Sequence, residues 1–237
     1  MGQGQDRAHA ERSHRGVGAQ RKEIRYNLAA LGIALSLCAC APAQQSAAPG
    51  KFSLARQAKF DQDNAWQHLL KQVSFGPRTP GSEGHIKCRD WIAEQMKKSC
   101  ENVRLQEFSH KWSETGKDVK MWNIIGEQNW KDAKTRMLLI AHWDTRPYAS
   151  EESDPTKAKQ PIVGANDGAS GVAVLLELMR VLKERKPELG IMYLMTDGED
   201  LGPTLDEMFL GAKFFAKNLP KPKPDYGILI DMVGDKD

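Results

Sequence analysis

Along the chain, short runs of consecutive apolar residues take turns with segments whose apolar positions recur every three or four residues. Phe60–Phe75 and His85–Lys98 have that helical spacing, the second following the turn "GPRTPGSEG". Val103–Phe108 and Met121–Gly126 read as strands, and Met137–His142 reads as a short strand of the buried kind. Ser170–Arg185 is the clearest helix, with Val172, Leu175, Leu176, Met179 and Leu182 on one side. Ile191–Thr196 is another buried strand, Gly211–Lys217 a short helix, and Tyr226–Val233 a last buried strand. Helices interleaved with buried strands predict an α/β sandwich whose central sheet is at least partly parallel. In open sheets of this kind, sites form outside the carboxyl ends of the strands.

Composition narrows this picture. At 237 residues with 40% hydrophobic content, the chain can bury one substantial core and gives no sign of two. The formal charge is +3, but residues 1–43 hold six basic and three acidic side chains, which is the whole surplus. The remainder is near neutral, with no basic footprint for nucleic acid, and the Lys-Pro run at Leu219–Pro224 reads as a solvated turn.

The first residues read as a leader. Arg21, Lys22 and Arg25 precede the apolar run Leu28–Leu37, which is too short to span a bilayer and has the layout of a secretory signal. Its end, Leu37-Cys38-Ala39-Cys40, resembles a bacterial lipobox, with Cys40 as the lipidated residue; Ala41-Pro42-Ala43 offers an ordinary cleavage site instead. The expected organisation is a signal over 1–40, a tether over 41–53 and a catalytic domain over 54–237. That places the protein in the bacterial cell envelope, periplasmic and held to the membrane by a lipid anchor only. The long stretch ahead of the apolar run points to a true start downstream of Met1. Cys88 and Cys100 fall on one predicted helix, about 18 Å apart along its axis, too far for a disulfide, and read as packing residues.

Acidic residues recur where strands end. Met137–His142 runs into "AHWDT", where His142 and Asp144 face the same way on an extended chain, and a carboxylate beside an imidazole is the usual support of a metal-bound His. "GANDGASG" sets Asp167 among small residues at the start of the clearest helix, either as a helix cap or as a metal ligand with room for an ion. "DGED" after Ile191–Thr196 puts Asp197, Glu199 and Asp200 together, a turn that needs water or a cation to offset its repulsion. "YGILI" then delivers Asp231, and a charge buried after so apolar a run would need a partner or a metal. Taken together, these positions predict a zinc-type site of nitrogen and oxygen ligands, and the absence of H-E-x-x-H excludes the zincin arrangement.

In order, "FGPRTPGSEG", "AHWDTRP", "GANDGASGVAVLLELMR", "DGEDLG", "LGAKFFA" and "ILIDMVGD" resemble the zinc aminopeptidase and glutaminyl cyclase family over Ala55 to Asp237. "HWDTRP" with the "ED" pair looks most like the bacterial glutaminyl-peptide cyclotransferases of animal type. The resemblance implies an α/β, zinc-exopeptidase-like three-layer sandwich with a central mixed, largely parallel sheet, which uses zinc to convert N-terminal glutamine of peptides to pyroglutamate with release of ammonia. It implies Asp167 and Asp200 as zinc ligands and Glu199 as the proton shuttle. Asp231 would either order Glu199 or bind a second metal. His142, with Asp144 behind it, would join that second metal in a two-zinc aminopeptidase, the alternative activity. The family also carries a zinc-binding His late in the domain, whereas His142 is the last His here, so the expectation is a domain truncated at its C-terminus. A third expectation is an inactive, lipid-anchored binding scaffold, against which the intact Glu199 argues. Trp143, Met208 and Phe209 lie near the site along the chain and read as packing residues.

Overall fold

The computed structural model describes residues 58–234, so Cys40, the apolar run Leu28–Leu37 and the tether lie outside the described residues. Nine elements follow one another: α1 (Gln62–Val73), α2 (Glu83–Lys97), β1 (Asn102–Lys111), β2 (Asp118–Gln128), β3 (Arg136–His142), α3 (Ala169–Arg185), β4 (Gly190–Thr196), α4 (Leu210–Lys217) and β5 (Tyr226–Leu229). Helix starts follow local chemistry. The Asp61 carboxylate accepts from the Asp63 and Asn64 N–H groups, and the Ser82 hydroxyl accepts from His85 N–H. A one-turn 3-10 helix at Leu205–Glu207 is an element that the apolar pattern did not announce.

The sheet is mixed, as the resemblance implies, and partly parallel, as the pattern predicts, in the order β1-β2-β4-β3-β5. β1 pairs with β2 and β2 with β4 antiparallel, while β3 lies parallel to both β4 and β5. β4 is buried along its whole length, which explains its unbroken apolar run: both faces are covered. Ile191, Tyr193 and Met195 meet Ile92 and Met96 of α2 and Leu175 and Met179 of α3 on one face. Met192 and Leu194 meet Phe215 of α4 on the other. These two clusters make the three layers.

Two local expectations are corrected. Asp167 is not the cap of α3: Gly168 holds that position and no side chain bonds there, because the Asp167 carboxylate is turned toward His142. The last strand is shorter than Tyr226–Val233, and all four of its residues are exposed. Among the described residues β5 is an edge strand that pairs only with β3. Asp231 is consequently exposed rather than buried. Cys88 and Cys100 are free and packed, as expected.

Small residues at the start of α3 have a packing reason. A methyl group at Gly171 would collide with the Ile230 carbonyl oxygen and press on Ala141 Cβ, so the absent side chain lets α3 lie directly against the exits of β3 and β5. Gly171→Ala is expected to destabilise the fold by about 1–3 kcal/mol, read as a lower urea midpoint with unchanged slope.

Candidate metal centre

β3 and β4 run parallel and in register, with His142 opposite Thr196, so the chain leaves both strands side by side. The first exit is held tightly. Trp143 N–H donates to Thr196 O at 3.1 Å, and Thr145 Oγ1 accepts from Arg78 N–H at 2.8 Å. The Arg78 guanidinium, fully buried, donates to the carbonyls of Trp143, Val163 and Gly164 at 3.0, 2.6 and 2.7 Å. This fastens the β3 exit to the loop that carries Asp167. Gly168 completes the approach at φ +88°, where a side chain would be strained and would meet the Asp144 carbonyl and the His142 ring at about 3 Å.

His142, Asp167 and Asp231 come together, each offering one ligand atom within 4.8 Å of the others. His142 Nε2 lies 2.9 Å from Asp167 Oδ1 and 3.4 Å from Asp231 Oδ1, and Nδ1 lies 3.5 Å from Asp144 Oδ1. Neither ring nitrogen makes a hydrogen bond of good geometry, although the imidazole is buried. Burial pulls its pKa down, but the carboxylates of Asp144, Asp167 and Asp231 outweigh this and hold it well above the ordinary histidine range.

Asp144 joins the two strand exits. It is fully buried and accepts the N–H of Glu199 on one oxygen and that of Asp200 on the other, both at 3.1 Å. Burial opposes its ionisation; His142 and these two N–H groups overcome that and keep its pKa below the usual range. Asp200, next along, stands outside the His142 cluster. Its Oδ1 accepts from Arg146 Nη2 at 3.0 Å, and its Oδ2 is buried with no partner. Glu199 is half-buried. Burial pushes its carboxyl up to about 7, with His142 working against the shift and Asp200, Asp144 and Asp167 working with it. It lines a cavity of about 400 Å³ with His142, Asp231, Thr196, Phe209 and Leu229.

Trp143 is a fully buried packing residue, as its type suggests. Phe209 instead borders the cavity in the left-handed region at φ +58°, its N–H bonded to the Glu199 carbonyl. Arg78, Thr145 and Arg146 are the residues that sequence reasoning missed; the motifs "FGPRTPGSEG" and "AHWDTRP" contained them, but their partners are distant in sequence.

The donor set fits a divalent metal. His142 Nε2 and Asp200 Oδ2 are buried polar atoms without hydrogen-bond partners, of the kind a cation satisfies, and imidazole with carboxylates is a zinc-compatible set.

The profile of peptidase family M28 matches residues 123–237. A Zn-dependent exopeptidase from Parabacteroides distasonis superposes with a TM-score of 0.72 at 38% identity, covering 76% of this chain and 64% of that one. Tannerella forsythia glutaminyl cyclase gives 0.70 at 38% identity, covering 75% and 64%. The Escherichia coli K12 alkaline phosphatase isozyme conversion protein is 26% identical over 227 residues, 90% of this chain and 60% of that protein. The chain therefore spans less than two thirds of the length of these proteins.

Removing the Asp144 carboxylate should expose how much rests on it. Asp144→Ala leaves two N–H groups without their acceptor and His142 without a neighbouring carboxylate, an expected loss of about 2–5 kcal/mol in guanidinium unfolding. Zinc affinity, measured by competition with a chromophoric chelator, should fall about 10–100-fold.

Proposed function

We propose, for a chain that belongs to the zinc aminopeptidase and glutaminyl cyclase family, that its reaction is the cyclisation of N-terminal glutamine in peptides. The observation that carries this reading is "HWDTRP" with the "ED" pair, which brings Glu199, half-buried, into the same cavity as His142 and Asp231. The likeness to Tannerella forsythia glutaminyl cyclase, at 38% identity, supports cyclisation as the chemistry.

Asp167 and Asp200 would hold the zinc. Bound there, zinc supplies Lewis-acid polarisation of the substrate's γ-amide carbonyl. The chain's own residues do the rest. The substrate's α-amine forms a bond to its γ-amide carbon, and the bond from that carbon to the amide nitrogen breaks. Glu199 takes the proton from the attacking amine and returns it to the departing nitrogen, which leaves as ammonia. Because the nucleophile is tethered to its target, ring closure needs no external water and gains the effective molarity of an intramolecular attack. Asp144 holds the Glu199 and Asp200 backbone in place for this, and Arg146 braces the Asp200 carboxylate. The leader charges, the run Leu28–Leu37 and Cys40 support an envelope location with attachment at that cysteine.

A second reading has its own observation. His142, Asp167 and Asp231 gather tightly enough to hold a further divalent ion, and a two-metal site would suit hydrolysis of an N-terminal residue.

Two assays separate the readings. Ammonia release from an N-terminal Gln peptide, with no cleavage of Leu-p-nitroanilide, is the expected result; the reverse, with two zinc ions bound per chain, would establish the aminopeptidase. Glu199→Gln should lower kcat by about 10²–10⁴-fold while leaving zinc affinity within about twofold.

A further inference from the structure

His85 takes no part in the chemistry above, lies outside the stretch matched by the family profile, and yet touches both strand exits that build the site. It stands in the first turn of α2 with its ring fully buried. Nδ1 accepts from Gly81 N–H at 3.3 Å, which leaves the proton on Nε2. Nε2 faces both carboxylate oxygens of Asp197, each at 2.9 Å. That carboxylate also accepts from Trp122 N–H at 2.7 Å and Gly198 N–H at 2.9 Å, so it is fully satisfied in a buried position. Asp197 opens the turn that ends in Glu199 and Asp200. The other contact is a flat one: the His85 ring lies on Trp143, centroids 4.4 Å apart and planes inclined by 12°. Trp143 sits between His142 and Asp144 in the chain, and its indole N–H donates to Trp122 O.

We infer that His85 is a positioning residue that fixes the β3 exit, bearing His142 and Asp144, against the β4 exit, bearing Glu199 and Asp200. The imidazole holds one exit through its face and the other through its edge. Asp144, equally buried, joins the same two exits through the Glu199 and Asp200 N–H groups, so the exits are fastened at two separate points. An aliphatic residue at 85 would fill the space and lose the bond, leaving Asp197 one donor short in the interior. A phenyl ring would keep the stack and lose the bond. This role rests on the site proposed above only for what it positions, not for the contacts themselves.

A core histidine and a positioning histidine differ in what they move. The test uses the 237-residue chain with His85→Phe, His85→Gln and, as a control for lost stability, Ile92→Ala, which truncates a fully buried side chain of the same helix. Two quantities are read: hydrogen exchange at the Glu199 and Asp200 amides without metal, and affinity for zinc alone. His85→Phe should reduce protection of both amides and zinc affinity by about tenfold each, beyond any change in Ile92→Ala. His85→Gln, whose side-chain amide can still donate to Asp197, should recover part of both. Equal shifts in His85→Phe and Ile92→Ala would reduce His85 to ordinary core; should the phenyl variant fail to fold, a His85→Gln shift equal to that of Ile92→Ala would do the same. A wild-type chain that takes up no zinc but whose 199 and 200 amides depend on His85 would overturn the metal reading and leave the positioning role standing.

Discussion

Mutual repulsion among carboxylates is the constraint around which this molecule is arranged. Asp144, Asp167, Asp197, Glu199, Asp200 and Asp231 all issue from one end of the sheet, and Asp144, Asp197 and Asp200 are buried there. Charges so placed are tolerated only when donors surround them. The chain provides these from several directions: backbone N–H groups for Asp144 and Asp197, an imidazole for each of Asp167 and Asp197, and a guanidinium for Asp200. Arg78 adds a buried positive charge bonded only to carbonyls, with Asp144 and Asp167 near enough to hold part of its charge in balance. Both ring nitrogens of His142, close to carboxylates but in no hydrogen bond of good geometry, and Asp200 Oδ2 are the buried atoms of this group that a cation would satisfy.

Much of this was legible from local pattern. The elements lie where apolar periodicity put them, because each is fixed by its own burial: β4 reads as an unbroken apolar run since helices cover both its faces, and α3 by its apolar stripe. The acids at strand ends were legible for the same reason, since the end of a buried run is where a charge can first appear. Sequence was weaker wherever the answer lay in a distant partner. Asp167 had every local mark of a helix cap, and only the position of His142 decides that its carboxylate turns away. Asp231 follows an apolar run that reads as a core strand, and among the described residues that run is an exposed edge, because what covers a strand is not written in the strand itself. Arg78 was in plain view within a Gly- and Pro-rich turn and His85 at the start of the helix after it, where the turn and helix readings accounted for each segment and concealed two inward-facing side chains.

The two proposed reactions, cyclisation and hydrolysis, would differ in ions and water rather than in scaffold. The same acids, the same Glu199 and the same strand exits would serve an intramolecular amine in the one and an added water in the other, with a further metal at the His142 cluster proposed only for hydrolysis. The geometry of that cluster is therefore the part of the molecule on which its chemistry turns, and Gly168 and Gly171, by letting the backbone come close to His142 and Ile230, control that geometry without touching a substrate.

Arg78 and His85 precede the family's matching segment, which begins at residue 123. Transplanting residues 123–237 into another host would carry across every acid named above and yet leave behind the guanidinium and the imidazole that make their company bearable. The ligands are thus portable in sequence but not in practice, and the unit of inheritance for this centre must reach back to the loop before the second helix.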